Sequence, residues 1–375
     1  MRTFAICGRG IPALHSYNPS IETVSIDGVQ VRCGILDAKD RAFDGKRAEY
    51  ANSVLVRVRR FSCNYRDKSF VLRAAAHVPD DRFFVIGSEF VGDVVDTGAA
   101  VRRVVPGDRV IGDNTYPHVG PCHARSEPHG GIPSNNSSGE YLVLHEEKVM
   151  KVPRSMSDDA AAAFSVGAQT AFSMVDKLGL EGGEHVLVTA ARSNTSLFTI
   201  EALRQRDVHV YATTTSATSV ERVRNRGEQE VFVVDPSGAF VDHERMASVA
   251  RQIGGFNGVI DPFIDLHLLK VIPLMRHGGR YVSCGLHDQL AVRPHARSIE
   301  PNYFAALNTA IVKNVSIIGN CVGLRHHLDD ALAAFERGRL DVPIDSVHHG
   351  DRAAAFLERT FESRDRFGKV VYAYQ

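Results

Sequence analysis

The chain has 375 residues, 44% hydrophobic and 23% charged, an ordinary balance for a globular protein of two or three domains that excludes disorder along its whole length. Lys and Arg total 44 and Asp and Glu total 44. This balance argues against a dedicated nucleic-acid or anionic-membrane binder and points to a small molecule or a partner chosen by shape. Six cysteines, at 7, 33, 63, 122, 284 and 321, are scattered without a CxxC pair, so a disulfide-rich scaffold and a zinc ribbon are excluded. The first residues lack the apolar core of a signal peptide, and no run reaches the ~18 apolar residues of a membrane span. The expected compartment is the cytoplasm.

The first third is expected to be β-rich. Residues 53–61 (SVLVRVRRF) alternate apolar and polar side chains, the pattern of a half-buried strand. Residues 83–96 carry two apolar runs around Gly87 and Gly92, and 108–111 form a short strand announced by Pro106-Gly107. Many short strands with Gly and Pro between them suggest a barrel or sandwich. Residues 112–139 form a loop too long for a plain connection in a compact domain. It holds His118, Cys122, His123 and His129, with Glu127, a spacing able to hold a metal, but a lid or substrate wall is the favoured reading and incidental histidines in a flexible loop are the alternative. A strand follows at 140–144.

The character then changes. Residues 157–177 are Ala-rich, open with Ser157-Asp158-Asp159 and read as a helix. Strands at 185–189, 209–213, 231–234, 258–261, 280–284 and 315–318 alternate with helices at 196–206, 219–226, 243–253 and 266–275. This is the signature of a parallel, doubly wound α/β sheet. Two further helices, at 328–337 and 353–361, precede a closing strand, FGKVVYAY, expected to rejoin the first domain.

Residues 185–216 make a strand, turn, helix and strand within the length of a βαβ unit, which offers helix N–H groups to a dinucleotide pyrophosphate. The turn, Thr189-Ala190-Ala191-Arg192-Ser193-Asn194-Thr195-Ser196, has no glycine. Asn194 is the residue expected to take φ > 0 at least cost. Ser193, Thr195 and Ser196 offer hydroxyls, and Arg192 a positive charge. The second strand ends in Thr213-Thr214-Thr215-Ser216, with no acidic residue for ribose hydroxyls. Thr214, Thr215 and Ser216, followed by Arg222, suit a 2′-phosphate, so NADPH is the expected cofactor. The alternatives are a decayed nucleotide site and arginines that merely face solvent.

In this order the motifs resemble the medium-chain dehydrogenase/reductase superfamily, which includes zinc alcohol dehydrogenases and zinc-free quinone and enoyl reductases. The resemblance rests on SCNYRD at 62–67, GSEFVGDVVDTGAAVRRVVPGDRVI at 87–111, GAQTAFSMV at 167–175, GGRYVSCG at 278–285 and RFGKVVYAY at 366–374. It implies a GroES-like β-barrel domain at 1–158, a doubly wound Rossmann domain at 159–322 and a C-terminal return to the first domain at 323–375. It also implies that Asn64, Tyr65 and Asp67 form the catalytic motif, with Tyr65 as general acid or oxyanion donor and Asn64 as a second donor. Thr170 would lie beside the nicotinamide, Ala191 in the phosphate turn, Cys284-Gly285 beneath the nicotinamide and Lys369 on the pyrophosphate. A homodimer or homotetramer through the sheet edge at 315–320 is expected.

The departures shape the functional reading. The family's zinc ligands, Cys, His and Cys, align with Asn64, Ser88 and a position near Val166. No catalytic zinc of the usual kind is therefore expected. Of the four-cysteine structural lobe only Cys122 remains. The leading reading is a zinc-independent NADPH oxidoreductase acting on an activated carbonyl, enone or quinone-type substrate. An alcohol dehydrogenase in natural-product or peptide tailoring, with a non-standard metal, is the second. A non-catalytic NADPH-binding protein is the third.

Overall fold

The computed structural model describes residues 1–11, 21–39, 42–115, 136–234, 242–288 and 303–374. The His118, Cys122, His123, Glu127 and His129 loop lies outside the described residues. The chain divides into two compact units, Met1–Val166 with Val342–Gln375, and Gly167–Asp341.

In the first unit the strands are β1 (Arg2–Cys7), β2 (Glu22–Ile26), β3 (Val29–Asp37), β4 (Ser53–Ser62), β5 (Phe83–Val85), β6 (Glu89–Thr97), β7 (Arg109–Gly112), β8 (Tyr141–His145) and β9 (Val149–Lys151). The second unit contains β10 (Glu184–Val188), β11 (Val208–Thr214), β12 (Glu230–Val233), β13 (Phe256–Asp261), β14 (Met275–Ser283) and β15 (Ser316–Gly319). The chain then returns to the first unit with β16 (Ile344–His349) and β17 (Lys369–Ala373).

Alternation of side chains builds the first unit. Along β4, Val54, Val56 and Val58 are buried while Arg57 and Arg59 face solvent, as a period of two requires. β4 pairs antiparallel with β6 and β8, and β17 joins it on its other side with Val371 opposite Ser62. A smaller sheet in the order β2-β3-β1-β5 completes the unit. Its core is aromatic. The rings of Phe4 and Tyr372 lie 5.1 Å apart, and those of Phe61 and Phe356 5.4 Å apart, each pair edge to face. Phe356 comes from the helix Ala353–Phe361 and Tyr372 from β17, so the return segment supplies half of this cluster.

The second unit is a parallel sheet in the order β12-β11-β10-β13-β14-β15. With β10 as the first strand this is the doubly wound order 3-2-1-4-5-6, in which the chain reverses direction beside β10. The expected helix at 157–177 is two helices, α1 (Asp158–Ala162) and α2 (Ser165–Leu178). The Ser157 hydroxyl caps the first, accepting from Ala160 N at 3.2 Å. α3 (Asn194–Leu203) follows β10, and its residues are buried almost all round.

Both unit boundaries differ from the sequence expectation, for identifiable reasons. α1 stays with the first unit because Arg60 and Arg109 pair with Asp159 and Asp158, and Ser62 Oγ donates to Ala162 O at 2.8 Å. The return begins at Val342 rather than 323. The helix α4 (Arg325–Glu336) and the loop before it are held by the second unit: Gln169 Nε2 donates to Leu324 O at 3.2 Å and Ser173 Oγ to Asn320 Oδ1 at 2.8 Å. No helix among the described residues is long and apolar enough to cross a membrane.

Candidate functional site

In the first unit, polar side chains converge where β4, β6 and β17 meet. The chain leaves β4 through Cys63-Asn64-Tyr65-Arg66 and turns into the helix Asp67–His77. Asp67 folds back to accept from Asn64 N at 2.6 Å, which tightens the turn. Its carboxylate also accepts from the Ser88 hydroxyl. Burial pushes the Asp67 carboxyl above its ordinary range, against the opposing pull of the Arg66 guanidinium and of these two donors.

Gly87 lets the chain reach this point. Its φ is +89°, and a Cβ there would sit 2.3 Å from Ser137 Oγ. Ser88 and Glu89 follow it, both fully buried. Asn64 Nδ2 donates to Ser88 Oγ at 2.9 Å. Lys369, at the start of β17 and 1% exposed, donates from Nζ to Asn64 Oδ1 at 2.6 Å and pairs with Glu89 Oε2 at 3.2 Å. Ser62 Oγ is 3.1 Å from the same Glu89 oxygen.

The structure thus brings Asn64, Asp67 and Lys369 together and adds Ser62, Ser88 and Glu89. The Lys369 ammonium is enclosed between an amide and a carboxylate. Tyr65 is half-buried on the same turn, its ring 5.4 Å from Lys68 Nζ. In the sequence Ser88 stands where the metal motif has histidine, whereas Glu89 matches that motif. At the positions where zinc ligands were sought stand an amide, a hydroxyl and Val166. Asp67 and Glu89 are already engaged by buried donors. This donor set does not suit a tetrahedral zinc.

Among the described residues, Asp176, His326 and His327 have ligand atoms within 4.8 Å of one another. His327 Nδ1 accepts from Leu324 N at 2.9 Å, which places the ring proton of a neutral imidazole on Nε2, facing Asp176 Oδ2 at 3.5 Å. A protonated nitrogen is no metal ligand, so this group is read as the capping of α4.

In the second unit, the turn after β10 is shaped by hydroxyls. Ala190, not Asn194, occupies the left-handed region, with φ +49°. Asn194 is instead the first residue of α3, because Ser193 caps that helix by accepting from Ser196 N at 3.2 Å. The Ser196 hydroxyl donates to Thr189 O at 2.8 Å. Ala190 N donates to Thr213 Oγ1 at 3.2 Å and Ala191 N to Thr213 O at 2.8 Å, tying the turn to β11. The Arg192 guanidinium donates to Thr215 Oγ1 at 2.5 Å. Ser193 and Ser196 are therefore spent within the turn, and the half-buried Thr195 remains at the start of α3.

Thr214 is fully buried and its Oγ1 accepts from Ser216 N at 3.3 Å, so it shapes the chain rather than offering a hydroxyl. Thr215 and Ser216 are half-buried, and Arg222 is exposed on the short helix Val220–Arg224. Thr170 is buried on α2, and Cys284 and Gly285 follow β14.

Beneath the turn, the buried Asp261 ends β13. Its Oδ1 accepts from Thr189 Oγ1 at 2.6 Å and Phe263 N at 2.8 Å and meets His267 Nδ1 at 2.8 Å, while Oδ2 accepts from the Tyr281 hydroxyl. Burial alone would raise the Asp261 carboxyl, but the His267 imidazole and these hydroxyls hold it below its ordinary range. Sequence reading passed over Asp261, whose role shows only when β10, β13 and β14 lie side by side.

Comparison with known proteins agrees with this architecture. Residues 50–154 match the alcohol dehydrogenase GroES-like domain. The chain is 28% identical over 324 residues to the spectinabilin polyketide synthase system protein NorB of Streptomyces orinoci, covering 85% of this chain and 13% of that protein. It is 23% identical over 331 residues to the acryloyl-coenzyme A reductase of Metallosphaera sedula, covering 86% of this chain and 92% of that one. A solved NAD-dependent alcohol dehydrogenase superposes with a TM-score of 0.75 at 24% identity, over 100% of this chain and 99% of that chain, which shows a shared fold. The chain thus carries an alcohol dehydrogenase GroES-like domain and shares the fold of a solved alcohol dehydrogenase along its length.

The left-handed alanine yields a prediction. A non-glycine residue there costs ~1–2 kcal/mol, partly offset by the ~0.5–1 kcal/mol that glycine loses in unfolded-chain entropy. Ala190→Gly is expected to raise the unfolding free energy by ~0.5–1 kcal/mol in urea titrations. A loss of stability would show that Ala190 does not hold this conformation.

Proposed function

We propose that this chain is an oxidoreductase that transfers a hydride between NADP(H) and a small activated carbonyl, enone or quinone-type substrate, without a metal at the Asn64 site. The observation that carries this reading is the Asn64 amide, held between an ammonium and a hydroxyl where zinc-dependent relatives would place a ligand. The names of relatives favour the conjugated substrates, since one is an acryloyl-coenzyme A reductase and another belongs to a polyketide synthase system. Acryloyl-coenzyme A is an acyl thioester, and that substrate class is part of the proposal; the chain spans only 13% of the polyketide synthase relative.

A bound reduced nicotinamide would supply the hydride. The N-terminus of α3 and the turn before it suit a pyrophosphate, with Thr195 in the first helical turn. Thr170, Cys284 and Gly285 would line the nicotinamide end. The preference for NADPH rests on Arg192, whose guanidinium is tied to Thr215 at the end of β11 where no carboxylate stands. A guanidinium fixed in this way matches a 2′-phosphate better than the exposed Arg222 does. On the substrate side, Asn64 donates a hydrogen bond to the oxygen that gains charge and Tyr65 delivers the proton.

The assembly we propose is a homodimer or a tetramer built from it. β15 ends the six-stranded sheet, and beside it in sequence lies the helix Tyr303–Val312 with Phe304 86% and Ile311 75% exposed. An edge strand next to large exposed apolar side chains suits pairing with a second copy.

Three measurements test this reading. Nicotinamide fluorescence titration of metal-free protein should show NADPH binding more tightly than NADH, and Arg192→Ala should weaken NADPH by about tenfold or more with a smaller effect on NADH. Equal weakening would remove Arg192 from phosphate recognition, and no binding of either nucleotide would end the proposal. Tyr65→Phe is expected to lower turnover ~10²-fold with NADPH affinity unchanged, and normal turnover would exclude Tyr65 as the acid. Light scattering at micromolar concentration should report a dimer or tetramer that Ile311→Asp dissociates, whereas a wild-type monomer would contradict the assembly.

A further inference from the structure

We infer that Lys369 and Ser88 are positioning residues that fix and polarise the Asn64 amide, and that Lys369 is not an anchor for the cofactor phosphates. The inference rests on the function proposed above and concerns how its electrophile is built.

An asparagine amide has nearly the same shape in both orientations, so its neighbours decide which end is oxygen. An ammonium can only donate. Lys369 Nζ, 2.6 Å from one end of the Asn64 amide, therefore fixes that end as oxygen. The NH2 end then faces Ser88 Oγ at 2.9 Å. The Ser88 hydroxyl has one hydrogen, and it is directed to Asp67 Oδ2. That carboxylate oxygen also accepts from Asn64 N at 2.6 Å, and two donors converging on it mark it as an acceptor. Ser88 must accordingly accept from Asn64. The hydrogen bonds run in one direction, from the Lys369 ammonium through the Asn64 amide and the Ser88 hydroxyl to the Asp67 carboxylate.

This direction has a chemical consequence. A positive charge on the amide oxygen and an acceptor on one N–H draw electron density from nitrogen to oxygen. The nitrogen becomes a stronger donor, as in other cooperative hydrogen-bond chains. Nδ2 carries a second hydrogen beyond the one given to Ser88. Lys369, Ser88 and Asp67 are buried, whereas Asn64 is half-buried. The amide is thus the member of the chain through which the buried charge reaches a substrate oxygen. Its donor is aligned before substrate arrives, the condition under which such groups are most effective.

Burial argues equally against the phosphate role. Lys369 is 1% exposed, and its counter-ion Glu89 is 0% exposed. Drawing the ammonium out would leave a carboxylate buried and alone, which is strongly unfavourable.

The test separates orientation from binding. The double variant Lys369→Met/Glu89→Gln removes both buried charges together, so neither is left unpaired. Ser88→Ala leaves the ion pair intact and removes only the acceptor, and Ser88→Thr restores a hydroxyl. Dissociation constants for NADPH and NADH come from fluorescence titration, and kcat and KM from turnover, on variants whose circular dichroism matches wild type. The expected result is a fall in kcat of ~10²-fold for the double variant and for Ser88→Ala, from the loss of alignment. Nucleotide affinity should stay within about twofold, and Ser88→Thr should recover most of kcat. Tenfold weaker binding of both nucleotides at unchanged kcat in the double variant would overturn the inference and return Lys369 to the pyrophosphate. Unchanged kcat in Ser88→Ala would overturn it while leaving the proposed function standing. Failure of the wild-type protein to bind either nucleotide would overturn the proposed function and this inference with it.

Discussion

Lys369 and Glu89 carry opposite charges into a place almost without solvent, and much of the first unit is arranged around keeping them together. Removing two charges from water is costly, and their attraction offsets the cost only when further hydrogen bonds complete the set. Here the Asn64 amide oxygen accepts from the Lys369 ammonium. The arrangement requires β17 to lie against β4, which the Val371–Ser62 register secures. It also requires the chain to bend at Gly87 so that Ser88 and Glu89 enter from the other side. The aromatic cluster of Phe4, Phe61, Phe356 and Tyr372 forms part of the buried core of the same unit. What began in sequence as a metal motif with its ligands missing is in space a closed set of donors and acceptors around one ammonium.

The second unit meets a different constraint. A turn that brings backbone close to a phosphate normally uses glycine for conformational freedom and small size. This turn uses Ala190 in a left-handed conformation and restrains it with side chains: Thr213 on one flank, Ser193 and Ser196 at the helix start, and Asp261 through Thr189 from below. The arrangement exchanges backbone freedom for a fixed shape. Arg192 emerges from a segment whose neighbours are already committed, which limits where its guanidinium can go.

Much of this was legible in the amino-acid order. The period of two in β4 and the strand–helix alternation after Ser157 reflect local burial, which a sequence carries directly. The residues of the NYRD turn were likewise visible, because Asp67 and Asn64 are three positions apart. Other features depend on partners distant in the chain. Asn64 and Lys369 are separated by 305 residues, and nothing local in FGKVVYAY tells a buried ammonium from an exposed one. Asp261 falls in the same class. Ala190 was missed for another reason: propensity assigns left-handed backbone to Asn194, but Ser193 caps the helix and draws Asn194 into it. The unit boundaries at 166 and 342 were set by Arg60, Arg109, Gln169 and Ser173, whose choice of partner no composition shift records.

The route of the chain also bears on how the protein comes into being. The strand that closes the first unit is separated from β4 by the whole of the second. During synthesis the inserted sheet can finish folding while β4 still presents an open side along Arg60, Phe61 and Ser62, and Glu89 still lacks its counter-charge. A ribosome that stops before Gly368 would release a chain with a complete parallel sheet and an unfinished barrel. Such a chain would expose unpaired backbone and an aromatic cluster short of Tyr372, the features by which quality-control machinery recognises an incomplete product.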